Sequence, residues 1–180
     1  LFTFPIPRPF TAIASLATAA LTALASPAAA LDTSVFYKLS TDFRGTGMPL
    51  DIVNGGPMNN FSHLAPAGNY SGQFWRLEPA GAGLYRLSTE FRGTNMCLDV
   101  VNGGNLNNLT HLTPCGNYSG QLWHITQDSG FYRLTTDFRG AGMCLDVFNG
   151  GNLDNYTHLT DCANYSGQFW SLTPTGRPAW

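Results

Sequence analysis

Between residues 36 and 174 the apolar positions fall in short alternating runs rather than helical stripes. In the middle of the chain, segments 84–89, 96–101, 110–113 and 121–126 are each four to six residues long and are separated by Gly, Asn and Pro. That pattern predicts four β-strands. No eleven-residue window in this region combines helical periodicity with capping residues, so little helix is expected. The whole pattern occurs three times. Segments 37–45, 85–93 and 132–140 align, and each is followed at constant offset by Leu-Asp, Asn-Gly-Gly, His-Leu, Asn-Tyr-Ser-Gly and Gln-x-Trp. Counted from Tyr37 to Tyr85 to Tyr132, the period is 48 and then 47 residues. Three repeats, about 36–83, 84–130 and 131–174, therefore predict an all-β domain of twelve strands.

Strand parity separates the core from the surface, because side chains two apart share a face. Gln73, Trp75 and Leu77 share one, as do Gln121, Trp123 and Ile125, and Gln168, Trp170 and Leu172. A tryptophan beside an aliphatic residue marks that face as buried. The glutamines on it need hydrogen-bond partners, expected to be backbone groups, and their role is structural. The same reasoning turns Leu50, Leu98 and Leu145 inward and Asp51, Asp99 and Asp146 outward. Leu64, Leu112 and Leu159 belong to the core, so His63, His111 and His158 face out. Asn54, Asn102 and Asn149 open the Asn-Gly-Gly turns, whose glycines supply left-handed backbone positions.

The first thirty residues differ in kind. They contain no Asp or Glu, one cation at Arg8, and an Ala/Leu-rich stretch over 11–25 followed by Ser26, Pro27 and three alanines. This is the pattern of a secretory signal peptide, with 31–180 as the exported domain. The apolar stretch is shorter than the roughly 20 residues that span a bilayer, so no membrane span is expected. The 180 residues carry a net charge of −2 and no basic run, which argues against nucleic acid as a partner.

Cysteine usage agrees with export. Cys97 and Cys115 lie 18 apart in the second repeat, and Cys144 and Cys162 lie 18 apart in the third. The first repeat has Pro49 and Ala67 at these positions. Joint absence is what a bonded pair predicts, so Cys97–Cys115 and Cys144–Cys162 are the expected disulfides, each contributing about 3 kcal/mol. No Cys-x-x-Cys is present, and neither a metal site nor a cofactor is expected.

Three Gln-x-Trp motifs (Gln73 to Trp75, Gln121 to Trp123, Gln168 to Trp170), in register with Cys97-Leu98-Asp99-Val100 and Cys144-Leu145-Asp146-Val147, closely resemble the ricin B-type lectin domain. The resemblance covers nearly all of 31–180. It implies a β-trefoil, a six-stranded barrel capped by three hairpins about a pseudo-threefold axis, with one potential sugar site per repeat. It also implies that Asp51, Asp99 and Asp146 accept hydrogen bonds from sugar hydroxyls. The family's stacking aromatic falls where this chain has Ala65, Thr113 and Thr160, and the Asn that often precedes Gln-x-Trp is Gly72, Gly120 and Gly167. Tyr70, Tyr118 and Tyr165 are the expected replacements for the aromatic, with His63, His111, His158, Asn54, Asn102 and Asn149 adding polar contacts.

The reading is of a secreted carbohydrate-binding protein. Its alternative is a trefoil that binds protein, as a scaffold or protease inhibitor, with degenerate sugar sites. Plainer roles exist for each site residue: the aspartates as anchors of the turns, the histidines as their structural partners, the tyrosines as packing. Residues found in only one repeat, such as His124, Glu78, Asp128 and Asp161, form no catalytic constellation, so enzymatic activity is not expected.

Overall fold

The structure, a computed structural model, describes residues 31–180. The expected signal peptide lies outside the described residues. Twelve strands follow one another, four to a repeat: β1 (Val35–Thr41), β2 (Leu50–Ile52), β3 (Ser62–Leu64), β4 (Trp75–Gly81), β5 (Leu84–Thr89), β6 (Met96–Val100), β7 (Thr110–Pro114), β8 (Trp123–Asp128), β9 (Phe131–Thr136), β10 (Gly140–Val147), β11 (Thr157–Asp161) and β12 (Trp170–Pro178). The only helical elements among the described residues are five 3-10 turns of three residues. Strand count and low helix content match the alternating pattern.

Strands β1, β4, β5, β8, β9 and β12 pair antiparallel in a closed ring, each with the next and β12 with β1. Closure removes the sheet edges that would otherwise remain unpaired. The hairpins β2–β3, β6–β7 and β10–β11 cap this barrel. This is the β-trefoil that the resemblance implied.

The core is the threefold set of inward leucines around Trp75, Trp123 and Trp170, all three fully buried. Each indole buries roughly 200 Å², contributing about 5 kcal/mol of transfer free energy. Each also donates Nε1–H to a carbonyl on the adjacent hairpin strand: Leu50, Leu98 and Leu145, all at 2.9 Å. The tryptophans thus tie barrel to cap as well as filling the interior. On the axis, the hydroxyls of Ser62, Thr110 and Thr157 close a buried triangle with sides of 2.6, 2.6 and 2.7 Å.

Gln73, Gln121 and Gln168 are buried as expected, but they sit in 3-10 turns rather than in the fourth strands. The strands begin two residues later, at the tryptophans. The Asn-Tyr-Ser-Gly segment makes the turn: the N–H of Gln121 bonds the carbonyl of Tyr118 at 3.1 Å, and the other repeats do the same. Both disulfides form as expected, Cys97–Cys115 and Cys144–Cys162. They fasten the bases of the β6–β7 and β10–β11 hairpins to the loops that follow, and the β2–β3 hairpin has none.

Candidate functional site

Each second-strand aspartate is held from two sides. Its Oδ1 accepts from the backbone N–H of the next residue at 2.7 Å, and its Oδ2 accepts from the buried glutamine's Nε2 at 3.0 Å. The glutamine is in turn fixed by its other atoms. Gln121 accepts from the Gly116 N–H at 2.9 Å and donates to the Pro114 carbonyl at 3.1 Å. The expected backbone partners are therefore present, with a carboxylate in addition. Thr113, at the family's aromatic position, joins the clamp by donating to Asp99 Oδ2 at 3.1 Å. The aspartates are less open than strand parity implied: Asp51 and Asp99 are half-buried, and Asp146 is only 8% exposed. The clamp draws them inward while leaving each in the wall of a surface pocket.

The residue before each glutamine has to be small for this to happen. A Cβ added at Gly72, Gly120 or Gly167 would lie 2.1–2.2 Å from the aspartate Oδ1. With the carboxylate in this position, no side chain fits where the family often has Asn.

Three repeat-equivalent pockets result, with volumes of about 410, 360 and 430 Å³. The first gathers Asp51, Asn54, Asn69, Tyr70 and Ser71, and Phe91 closes it. The second gathers Asp99, Asn102, Asn117, Tyr118 and Ser119, closed by Phe138. The third gathers Asp146, Asn149, Asn164, Tyr165 and Ser166, closed by Phe43. Of the expected site residues, then, every aspartate, turn asparagine and tyrosine comes together. The tyrosines are 61–62% exposed, unusual for so large a ring and suited to an incoming face.

The histidines do not line these pockets. His63, His111 and His158 lie opposite the aspartates in their hairpins, and their backbones bridge to the neighbouring hairpins at Tyr156, Phe61 and Leu109. His158 stacks on Phe148 with centroids 3.7 Å apart, and His111 and His63 pack on Phe61 and Tyr156. Burial pushes all three imidazoles below the ordinary pKa of 6.5, against a weaker upward pull from the facing aspartates. They belong to the joint between hairpins.

The phenylalanines are the residues that sequence reasoning missed. Each pocket takes its phenylalanine from the next repeat, and the third takes Phe43 from the first, closing the circle. The arginine after each lies over its ring at about 4 Å and bonds to the neighbouring repeat's turn, as Arg92 does to Asn59 Oδ1 at 2.9 Å. The triple Phe-Arg was visible as a repeat feature. What was invisible is that it serves the preceding repeat.

A closed barrel with three capping hairpins and three pockets built from one carboxylate, two amides and two aromatic rings defines a β-trefoil of lectin type. The chain belongs to the ricin-type beta-trefoil lectin domain-like family, which it matches over residues 71–161. No curated protein matches it in sequence. Among solved structures it is similar to the designed threefold-symmetric protein ThreeFoil, at 25% identity and TM-score 0.62, over 77% of this chain and 97% of that one. It also resembles an exo-β-1,3-galactanase from Clostridium thermocellum (22% identity, TM-score 0.62, 80% of this chain and 31% of that one). A third is the Polyporus squamosus lectin bound to a sialylated influenza-binding epitope (16% identity, TM-score 0.58, 79% of this chain and 50% of that one). No helix among the described residues is long and apolar enough to cross a membrane.

Proposed function

We propose that this chain is an exported lectin that binds glycan or polysaccharide, without turning it over, through its three inter-repeat pockets. The observation that carries the reading is the threefold recurrence of one polar and aromatic set around a clamped carboxylate. Such a carboxylate accepts from two vicinal hydroxyls, while the tyrosine and phenylalanine offer π faces to the sugar's C–H surface. Asp51, Asp99 and Asp146 are the acceptors, the asparagines orient the ring, and the tyrosines stack. The two disulfides suit an oxidising, extracellular setting. Three shallow sites on one rigid body bind clustered glycans more tightly than single sugars by effective concentration.

A glycan array with competition by free monosaccharide tests the reading. Binding to immobilised glycan that free sugar displaces, and that fails in the triple variant Asp51→Ala, Asp99→Ala, Asp146→Ala with the fold intact, is the expected result. Capture of a protein partner with no glycan bound would replace it by the scaffold reading.

A further inference from the structure

The three pockets share a shape and differ in charge. In each, an acidic residue precedes the closing phenylalanine and an arginine follows it. At the first pocket Glu90 is paired with Arg177 at 2.6 Å, and Arg92 bonds the neutral Asn59. At the second, Asp137 is hydrogen-bonded to His124 at 2.7 Å, an ion pair when the imidazole is protonated, and Arg139 bonds the neutral Asn107 at 2.8 Å. The third departs at both points. Asp42 has no ion-pair partner among the described residues, and Arg44 is held by Asp154 at 3.0 Å in place of an asparagine. The third pocket therefore has Asp146 in its wall and Asp154 beside it, and its one guanidinium is already paired with Asp154, while Asp42 is the chain neighbour of the closing Phe43.

The change at position 154 alters charge and little else. Asn59 and Asn107 each accept their turn's glycine N–H, from Gly55 and Gly103, at 2.7 Å, and Asp154 accepts from Gly150 at 2.6 Å. The turn is the same with either residue. Asp154 also stands at the rim, because Arg44 lies over Phe43 at 4.1 Å and Gly150 adjoins Asn149, both of which line the pocket.

Resting on the reading of these pockets as sugar sites, we infer that the third one selects amine-bearing sugars, protonated 2-amino-2-deoxyhexoses, while the first two take neutral ones. An ammonium group there gains from the surplus carboxylates and from the faces of Tyr165 and Phe43. A uronic or sialic acid is repelled by the same field.

The test uses the full chain with 13C-labelled tyrosine rings, titrated at low salt with matched hexose, 2-aminohexose and hexuronic acid of the gluco and galacto series. Tyr70, Tyr118 and Tyr165, assigned through single Tyr→Phe variants, report the three pockets separately by NMR. The expected result is an amine preference of about two- to fivefold at Tyr165, shrinking in half-molar salt. Asp154→Asn reduces it, and Asn107→Asp creates one at Tyr118, both with unchanged thermal stability. Equal affinity for amine and parent hexose at Tyr165, or a preference indifferent to Asp154→Asn, overturns the inference and leaves the lectin reading standing. Absence of any sugar-induced shift at all three tyrosines overturns the lectin reading, and the inference with it.

Discussion

Gln121 donates through Nε2 to Asp99 Oδ2 at 3.0 Å, and the same bond at the same length joins Gln73 to Asp51 and Gln168 to Asp146. Each glutamine is fully buried, two residues before the tryptophan that fills the barrel. One hydrogen bond therefore couples the core to the pocket wall. The carboxylate inherits its position from the most rigid part of the molecule, as a preorganised binding group requires.

Replacing Gln121 with Leu keeps the volume and removes every partner. The Gly116 N–H and the Pro114 carbonyl lose their bonds along with Asp99 Oδ2. These groups are half-buried or exposed, so together they cost about 1–3 kcal/mol rather than that amount each, and the urea midpoint should drop. Sugar-induced shifts should vanish at Tyr118 and persist at Tyr70 and Tyr165.

Gly120→Ala probes the same clamp from the other side. The added methyl would lie 2.2 Å from Asp99 Oδ1 and 3.3 Å from the Val100 nitrogen. The glycine's φ is not in the left-handed region, so crowding is the sole penalty, about 1–3 kcal/mol. Asp99 must leave its position. Calorimetry should show a folded protein with a modestly lowered Tm, and titration should show no binding at the second pocket.

The repeat register, the twelve strands, both disulfides and the buried tryptophans were legible because each depends on spacing within one repeat. Parity placed Asp99 on the outer face correctly yet overstated its exposure, since a two-residue period says nothing of a glutamine folding back from a turn 22 residues later. Phe43, Phe91 and Phe138 were unreadable for a different reason. Their contacts cross a repeat boundary, and identical repeats look the same whether a residue serves its own unit or its neighbour. Parity turns His158 outward and so makes it a candidate sugar contact, but in the folded hairpin it lies opposite Asp146 and its ring stacks on Phe148 instead.

The histidines give the fold an acid limit. Burial lowers the pKa of His63, His111 and His158 below 6.5 in the folded protein. The unfolded chain, titrating near 6.5, then takes up protons first as pH falls. Their contribution to stability is complete above 6.5 and is lost as pH descends through the lowered folded-state values. Urea midpoints should therefore decline from pH 7 toward 5. His158→Phe, which retains the stack on Phe148, should flatten part of that decline. A slope unchanged by this substitution would place the titrating group elsewhere.

The hydroxyl triangle on the axis makes a separate prediction. Ser62, Thr110 and Thr157 each approach the next member's carbonyl, at 3.0, 3.2 and 3.2 Å, as well as its hydroxyl. Three protons thus serve a ring of six acceptors, and each hairpin supplies one. Thr110→Val preserves shape but removes a donor and an acceptor from that ring, which should cost about 1–3 kcal/mol. Thr110→Ser keeps the ring, as Ser62 already does in the first repeat, and should cost only about 1 kcal/mol for the lost methyl. None of the three lines any of the inter-repeat pockets, so sugar affinity per folded molecule should be the same in both variants. Urea titration gives the ordering of the two costs. A valine variant as stable as the serine one would mean that the triangle fills space at the axis and contributes nothing through its hydrogen bonds.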